Sequence, residues 1–189
     1  MRGLLISAFA LAICTATGVA GYQHARSVAG TSGLEASDAR HWREIAWPFP
    51  RDGWPAGRAF HCDASACGNE VEVYVRPKIG FCNCDSGVAD DDEVDRVADL
   101  DLMSERFAPL APGNAIEVAD MQGRLRAYDL RMQDGSRHTA VGIAVSKHCD
   151  LLVAVAQGKG DISGVQRAAL EFLRSGNMTR WMTAAIDGG

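Results

Sequence analysis

The sequence predicts an α+β domain: an antiparallel sheet of about five or six strands with a C-terminal amphipathic helix packed on it. Three observations predict it. Val71, Val73 and Val75 alternate with Glu72, Tyr74 and Arg76, the period-two pattern of a half-buried strand. Leu151 to Ala156 is apolar almost throughout, which suits a central strand buried on both faces. Val165, Ala168, Ala169, Phe172 and Leu173 recur at i, i+3, i+4, i+7 and i+8, the stripe of a helix lying on a sheet. Strands gathered before terminal helices give an α+β order.

Taken from the N-terminus, the chain opens Met1-Arg2-Gly3, runs apolar from Leu4 to Ile13, and ends this stretch in the small residues Thr15 to Ala20. A basic start, an apolar middle and a small-residue tail make a secretory signal over residues 1–20. Cleavage after Ala20 places Gly18 and Ala20 at the two small-residue positions; cleavage after Gly18 is nearly as good. The alternative is an uncleaved N-terminal anchor, although Leu4 to Ile13 is short beside the ~20 apolar residues a membrane span needs. A lipoprotein signal is disfavoured, because Ile13 precedes Cys14 where a small residue is preferred. Removing the first 20 of 189 residues leaves 169, enough for one domain with a core of its own. Only Arg2 is charged in that stretch, so the net charge of −5 becomes −6. Such an acidic chain has no basic footprint for nucleic acid, and no later stretch is apolar for long enough to span a membrane.

Residues 21–40 are small and polar without a period, which predicts a flexible leader, and residues 41–189 form the domain. Trp47-Pro48-Phe49-Pro50 through Trp54-Pro55 mixes three prolines with three aromatics, predicting an extended edge strand with its rings against the body. Ala59 to Cys62 is a short strand, and Pro77 should stop the strand that begins at Val71. Asp90 followed by Glu93 resembles a capping pair, with Val94, Val97 and Ala98 on one face, so a helix is expected near 91–104. A meander follows: Ile116 to Met121, a turn at Gln122-Gly123, Leu125 to Met132, a hairpin turn at Gln133 to Ser136, Thr139 to Val145, and a turn at Lys147 to Asp150. The strand at 151–156 ends by Gly160. The helix after it is capped at Asp161 or Ser163, and a second stripe from Met178 to Ile186 has Asn177 as its cap.

The segment with chemistry to offer is Phe60-His61-Cys62 to Cys67-Gly68, then Cys82-Asn83-Cys84. Four of the five cysteines beyond residue 20 fall within the 23 residues from Cys62 to Cys84, and Cys149 is the fifth. In an oxidising compartment such cysteines form disulfides. The disulfide candidates are therefore Cys62, Cys67, Cys82, Cys84 and Cys149; spacing does not choose the connectivity, and the odd count leaves one thiol over. Cys149, beside His148, is either that thiol or a staple from the turn to the cluster. The alternative is a zinc or copper site on Cys62, Cys67, Cys82 and Cys84 with His61, because four thiolates hold zinc tetrahedrally and soft sulfur suits copper(I). A third reading is thiol–disulfide exchange through the tight Cys82-x-Cys84 pair.

No phosphate-binding glycine loop, His-Glu-x-x-His or Gly-x-Ser-x-Gly motif is present. The six acids between Asp85 and Asp95 lack calcium-loop spacing and read as a helix cap with a solvated face. His138 reads as a surface residue, and His24 and His41 fall in the leader or at its edge. No catalytic or cofactor-binding residue is assigned, and the balance is against an enzyme.

Trp47-Pro48-Phe49, Phe60-x-Cys62-x4-Cys67-Gly68, Lys78-Ile79-Gly80-Phe81-Cys82-Asn83-Cys84, Gly87 to Glu93 and Glu171-Phe172-Leu173 together resemble a set of small exported proteins of Gram-negative bacteria. The resemblance implies a periplasmic address and no particular substrate. The order of elements alone is similar to that of the family containing PsbP and the Mog1-like domains. The expectation is an exported, periplasmic, non-enzymatic binding or accessory module with a disulfide-stapled segment, no cofactor, and a periplasmic protein as its partner.

Overall fold

The computed structural model describes residues 41–80 and 83–188. The expected signal, the leader with His24, and Cys82 lie outside the described residues. Among the described residues, eight strands form one antiparallel sheet: β1 (Trp42–Ile45), β2 (Arg58–Cys62), β3 (Glu70–Lys78), β4 (Phe107–Pro109), β5 (Asn114–Val118), β6 (Met121–Arg131), β7 (Arg137–Lys147) and β8 (Asp150–Lys159). Their spatial order is β1-β2-β3-β8-β7-β6, with β4 and β5 sharing the outer edge of β6. The helices are α1 (Ala64–Cys67), α2 (Asp91–Val97), α3 (Leu100–Met103), α4 (Ile162–Leu173) and α5 (Gly176–Asp187). The α+β class holds, with more strands than expected, because β1 and β4 are short edge strands whose patterns carry little period.

The strand alternation decides which side meets which helices. Val71, Val73 and Val75 of β3, Val141, Ile143 and Val145 of β7, and Leu152, Ala154 and Ala156 of β8 form one face. The stripe on α4 and the Met178, Met182 and Ile186 stripe on α5 close over it. Phe172, 4 % exposed, stacks on Trp42 at 4.3 Å between ring centroids and meets Phe60 at 4.7 Å, pinning edge strand β1. Burying a side chain of that size stabilises by about 1.5–3 kcal/mol. Asp161 caps α4 by accepting from the Gly164 N–H at 3.0 Å. The N-cap position of α5 is Ser175 rather than Asn177. On the opposite face, α2 and α3 set Val94, Val97, Ala98 and Leu100 against Tyr128, Leu130, Ala144, Val153 and Val155. β8 is therefore buried on both sides from Leu151 to Ala156.

Several local expectations are corrected. The Trp47 to Pro55 stretch is not a strand: the edge strand is the proline-free Trp42–Ile45, and the prolines leave a loop whose Trp47 and Phe49 pack edge-on against Tyr74. Pro77 does not stop β3, which runs to Lys78. Pairing with β2 ends at Val75, so a residue lacking an N–H forfeits no ladder bond on that side. The single helix expected near 91–104 is broken, because Asp99 adopts left-handed backbone (φ 58°) between α2 and α3. The hairpin turn falls at Ala119-Asp120, both with positive φ (52° and 60°), and not at Gln122-Gly123. Gly123 lies inside β6, where a Cβ would meet the Ala144 carbonyl oxygen at 2.0 Å. The residue is a glycine for close strand approach, not for a turn.

Candidate functional site

The cysteines pair as Cys62–Cys67 and Cys84–Cys149. The first bridge closes a small loop. Cys62, fully buried, ends β2; Asp63 precedes the single turn α1; Cys67 ends it, and Gly68 takes the left-handed exit (φ 75°). The second bridge fastens the segment after β3 to the two-residue turn between β7 and β8. There the Gly80 N–H also donates to Asp150 at 2.6 Å, and His148 has φ 55°. Cys149 is thus the staple rather than the spare thiol. Cys62, Cys67 and Cys84 are bridged, so the four-thiolate metal set is not assembled, and a Cys82–Cys84 ring is not closed. Among the described residues no three His, Cys, Asp or Glu side chains converge as a metal site.

His61 was the one non-cysteine member of that set, and the structure gives it other company. The bridged loop holds Asp63 so that its carboxylate lies 3.1 Å from His61 Nε2. His61 Nδ1 lies 3.7 Å from Glu72 Oε1, on the neighbouring strand and in register. The other oxygen of Glu72 accepts from the Tyr74 hydroxyl at 2.6 Å and from the Gln157 amide at 2.9 Å. Burial opposes charge on Glu72, but the bonds from Tyr74, Gln157 and His61 outweigh it and hold the carboxyl below its usual range. The same burial, reinforced by donation to Glu72, pushes the Tyr74 hydroxyl up.

Sequence reasoning missed Glu72, Tyr74, Gln157 and His138 as a group. They come from three strands and meet only through register: Gln157 lies opposite Glu72, and Val155 opposite Tyr74. Together with Glu70, Gly158 and Lys159, residues Glu72, His138 and Gln157 line an open cleft of about 160 Å³. This end of the sheet face is not covered by α2 and α3. His138 is therefore half-buried at a cleft wall rather than a plain surface residue.

The rest of that face is closed by charge. Arg76, 2 % exposed, holds Asp52 at 2.6 and 2.9 Å and Asp99 at 2.6 and 3.0 Å. Lys78, 5 % exposed, reaches Asp99 at 2.5 Å and donates to the Val97 carbonyl. Farther along, Arg124 pairs with Asp91 at 2.6 Å, and Arg126 and the Tyr128 hydroxyl meet Asp95 at 2.8 and 2.5 Å. The acidic run is therefore no solvated face throughout. Asp91, Asp95 and Asp99, spaced by four, point at sheet cations, while Asp90 caps α2 through the Glu93 N–H.

No family model matches the chain, and no curated protein matches it. Among solved structures, a protein from Bacteroides thetaiotaomicron is similar at 11% identity and a TM-score of 0.39, over 71% of this chain and 41% of its own. LpqN of Mycobacterium tuberculosis, described as involved in cell envelope biogenesis, is similar at 11% identity and a TM-score of 0.33, over 70% of this chain and 75% of its own. The chain spans about two fifths of the length of the first of these.

Proposed function

We propose that this protein is an exported binding or accessory module, matured in an oxidising compartment by removal of residues 1–20, and that it works through the open polar end of its sheet. The observation that carries the proposal is the pair of disulfides, one of which orders the Asp63 loop beside that end. Disulfides persist where thiols are not kept reduced. The basic, apolar and small-residue order of residues 1–20 supports the same address, as does the resemblance to small exported proteins of Gram-negative bacteria. A periplasmic location fits both, with cleavage near Ala20.

The test is thiol counting and metal analysis on protein recovered from the periplasm of an expressing bacterium. The expected result is a mature N-terminus near Gly21, one free thiol and no stoichiometric metal. Stoichiometric zinc or copper with four or more reduced cysteines would replace the proposal with a metal-binding reading. Retention in the cytoplasm with full folding and all thiols reduced would remove the exported address.

A further inference from the structure

The structure points to a ligand class for the cleft at the open end of the sheet: we propose that it binds a primary ammonium group. The assignment rests on the binding reading above, because it takes this end as the contact surface.

The first argument is a surplus of acceptors. The side chains converging on Glu72 are His61, Tyr74 and Gln157. The donors of Tyr74 and Gln157 are both directed at Glu72 Oε2. Among the described residues, Glu72 Oε1 has only His61, at 3.7 Å, and Gln157 Oε1 is buried with no hydrogen-bond partner. A buried acceptor without a donor costs free energy, and an ionised carboxylate accepts up to four bonds. A guest that brings donors and no acceptors completes the bonding of Glu72 Oε1, the one of these two acceptors that keeps solvent access, and an ammonium brings three donors.

The second argument is charge and reach. Glu70 and Glu72 both line the cleft, and one exposed cation, Lys159, stands at its mouth. Lys159 Nζ lies 3.8 Å from Glu70 Oε2 with its side chain 81% exposed. The chain's own ammonium thus already visits the rim, held loosely enough to be displaced. Asp63 and His61 stand behind Glu72. Glu72 is held ionised and in one rotamer by its two donors, so a cation entering the cleft meets a pre-oriented partner. The cleft is large enough for a small alkylammonium and too small to enclose a drug-sized ligand.

The test is a titration of the full mature protein, bridges intact, with n-propylammonium chloride, followed by amide NMR. Sodium chloride, tetramethylammonium chloride and sodium acetate serve as controls. Saturable shifts confined to residues 70–72, 138 and 157–159 with n-propylammonium alone are expected. Glu72→Gln, nearly isosteric, should weaken binding tenfold or more. Glu70→Gln, at an exposed position that cannot unfold the domain, should weaken it about threefold. Lys159→Ala, equally exposed, should tighten it about threefold by removing the internal competitor. Nα-acetyl-lysine amide, whose side-chain ammonium is free, binding as well as n-propylammonium would mark a peptide side chain as the source, and failure of that larger probe alone would mark a free amine. Equal shifts with sodium chloride or tetramethylammonium would reduce the effect to ionic strength and overturn the proposal. Acetate shifting the same residues while n-propylammonium does not would overturn the ammonium class yet keep the cleft as a binding surface. Silence with every probe would overturn the ammonium proposal and the cleft as contact surface, leaving the export reading to the thiol count.

Discussion

Replacing Asp99 by Asn removes one negative charge from beneath two buried cations. Its carboxylate makes contacts of 2.6 and 3.0 Å with Arg76 and 2.5 Å with Lys78. Arg76 keeps Asp52, whereas Lys78, 5 % exposed, loses the carboxylate 2.5 Å from its Nζ and keeps its donation to the neutral Val97 carbonyl. Asn tolerates the left-handed backbone (φ 58°) that Asp99 adopts, so the change isolates charge from strain. Removing one partner of a buried ion pair costs about 3–5 kcal/mol, because the remaining charge has been taken out of water. At roughly 2–4 °C per kcal/mol for a domain of this size, Tm should fall by about 6–20 °C. Arg76→Met serves as the counterpart. It deletes the guanidinium and leaves Asp99 with Lys78 and the partly exposed Asp52 with solvent, so its cost should be less than half as large. The assay is urea unfolding under non-reducing conditions, with midpoints compared at constant m-value. A loss below about 1 kcal/mol for Asp99→Asn, or a larger loss for Arg76→Met, would refute the argument that desolvated cations make Asp99 indispensable.

Two further outcomes follow from the same structure. The bridges close sequence separations of 5 and 65, so loop-closure entropy assigns about 2 kcal/mol to Cys62–Cys67 and about 4 kcal/mol to Cys84–Cys149; paired Cys→Ser variants compared by urea unfolding should show that order, and the reverse order would sink the entropic account. The Arg76 hydrogen bonds hold the Asp52 carboxyl at about 2, below its usual 3.8; since the folded value is the lower one, this stabilisation is complete above the unfolded value and is lost as pH falls toward about 2, and Asp52→Asn should flatten stability against pH across that window, whereas identical profiles for the two proteins would contradict it.

What was legible in the sequence was what repeats locally. The α4 stripe from Val165 to Leu173 and the valines of β3 announce their faces because 3.6 and 2 are periods a short window reveals. The edge strands β1 and β4 did not announce themselves, because three or four half-exposed residues carry too few buried positions to show one. The turn at Ala119-Asp120 contains no glycine or asparagine, so its left-handed backbone left no chemical trace. Gly123 supplied a false one, being there for the backbone of β7. In the site, the cysteines stood out by their count, and Cys149 as a staple was already among the readings. Glu72, Tyr74 and Gln157 did not, because their meeting depends on β3 and β8 lying side by side, with Glu72 and Gln157 85 positions apart in the chain. The spacing of Asp91, Asp95 and Asp99 was a usable signal, since residues four apart share a helical face. What it lacked was the identity of the opposing face, where Arg76, Lys78, Arg124 and Arg126 are presented by strands the acids do not adjoin in sequence.

The Cys84–Cys149 bridge also makes a covalent ring of residues 84–149, which contains α2, α3 and strands β4 to β7. Every exposed loop within it, including the Asp134-Gly135 tip, is therefore a place where a peptidase can cut without releasing anything. A nicked molecule keeps its mass until it is reduced and then separates into two pieces. Outside the ring lie β1 to β3, β8 and the two C-terminal helices. Outside the short loop that Cys62–Cys67 spans, a cut in the links to those elements is held only by packing, so those links are where a single cleavage can release a fragment.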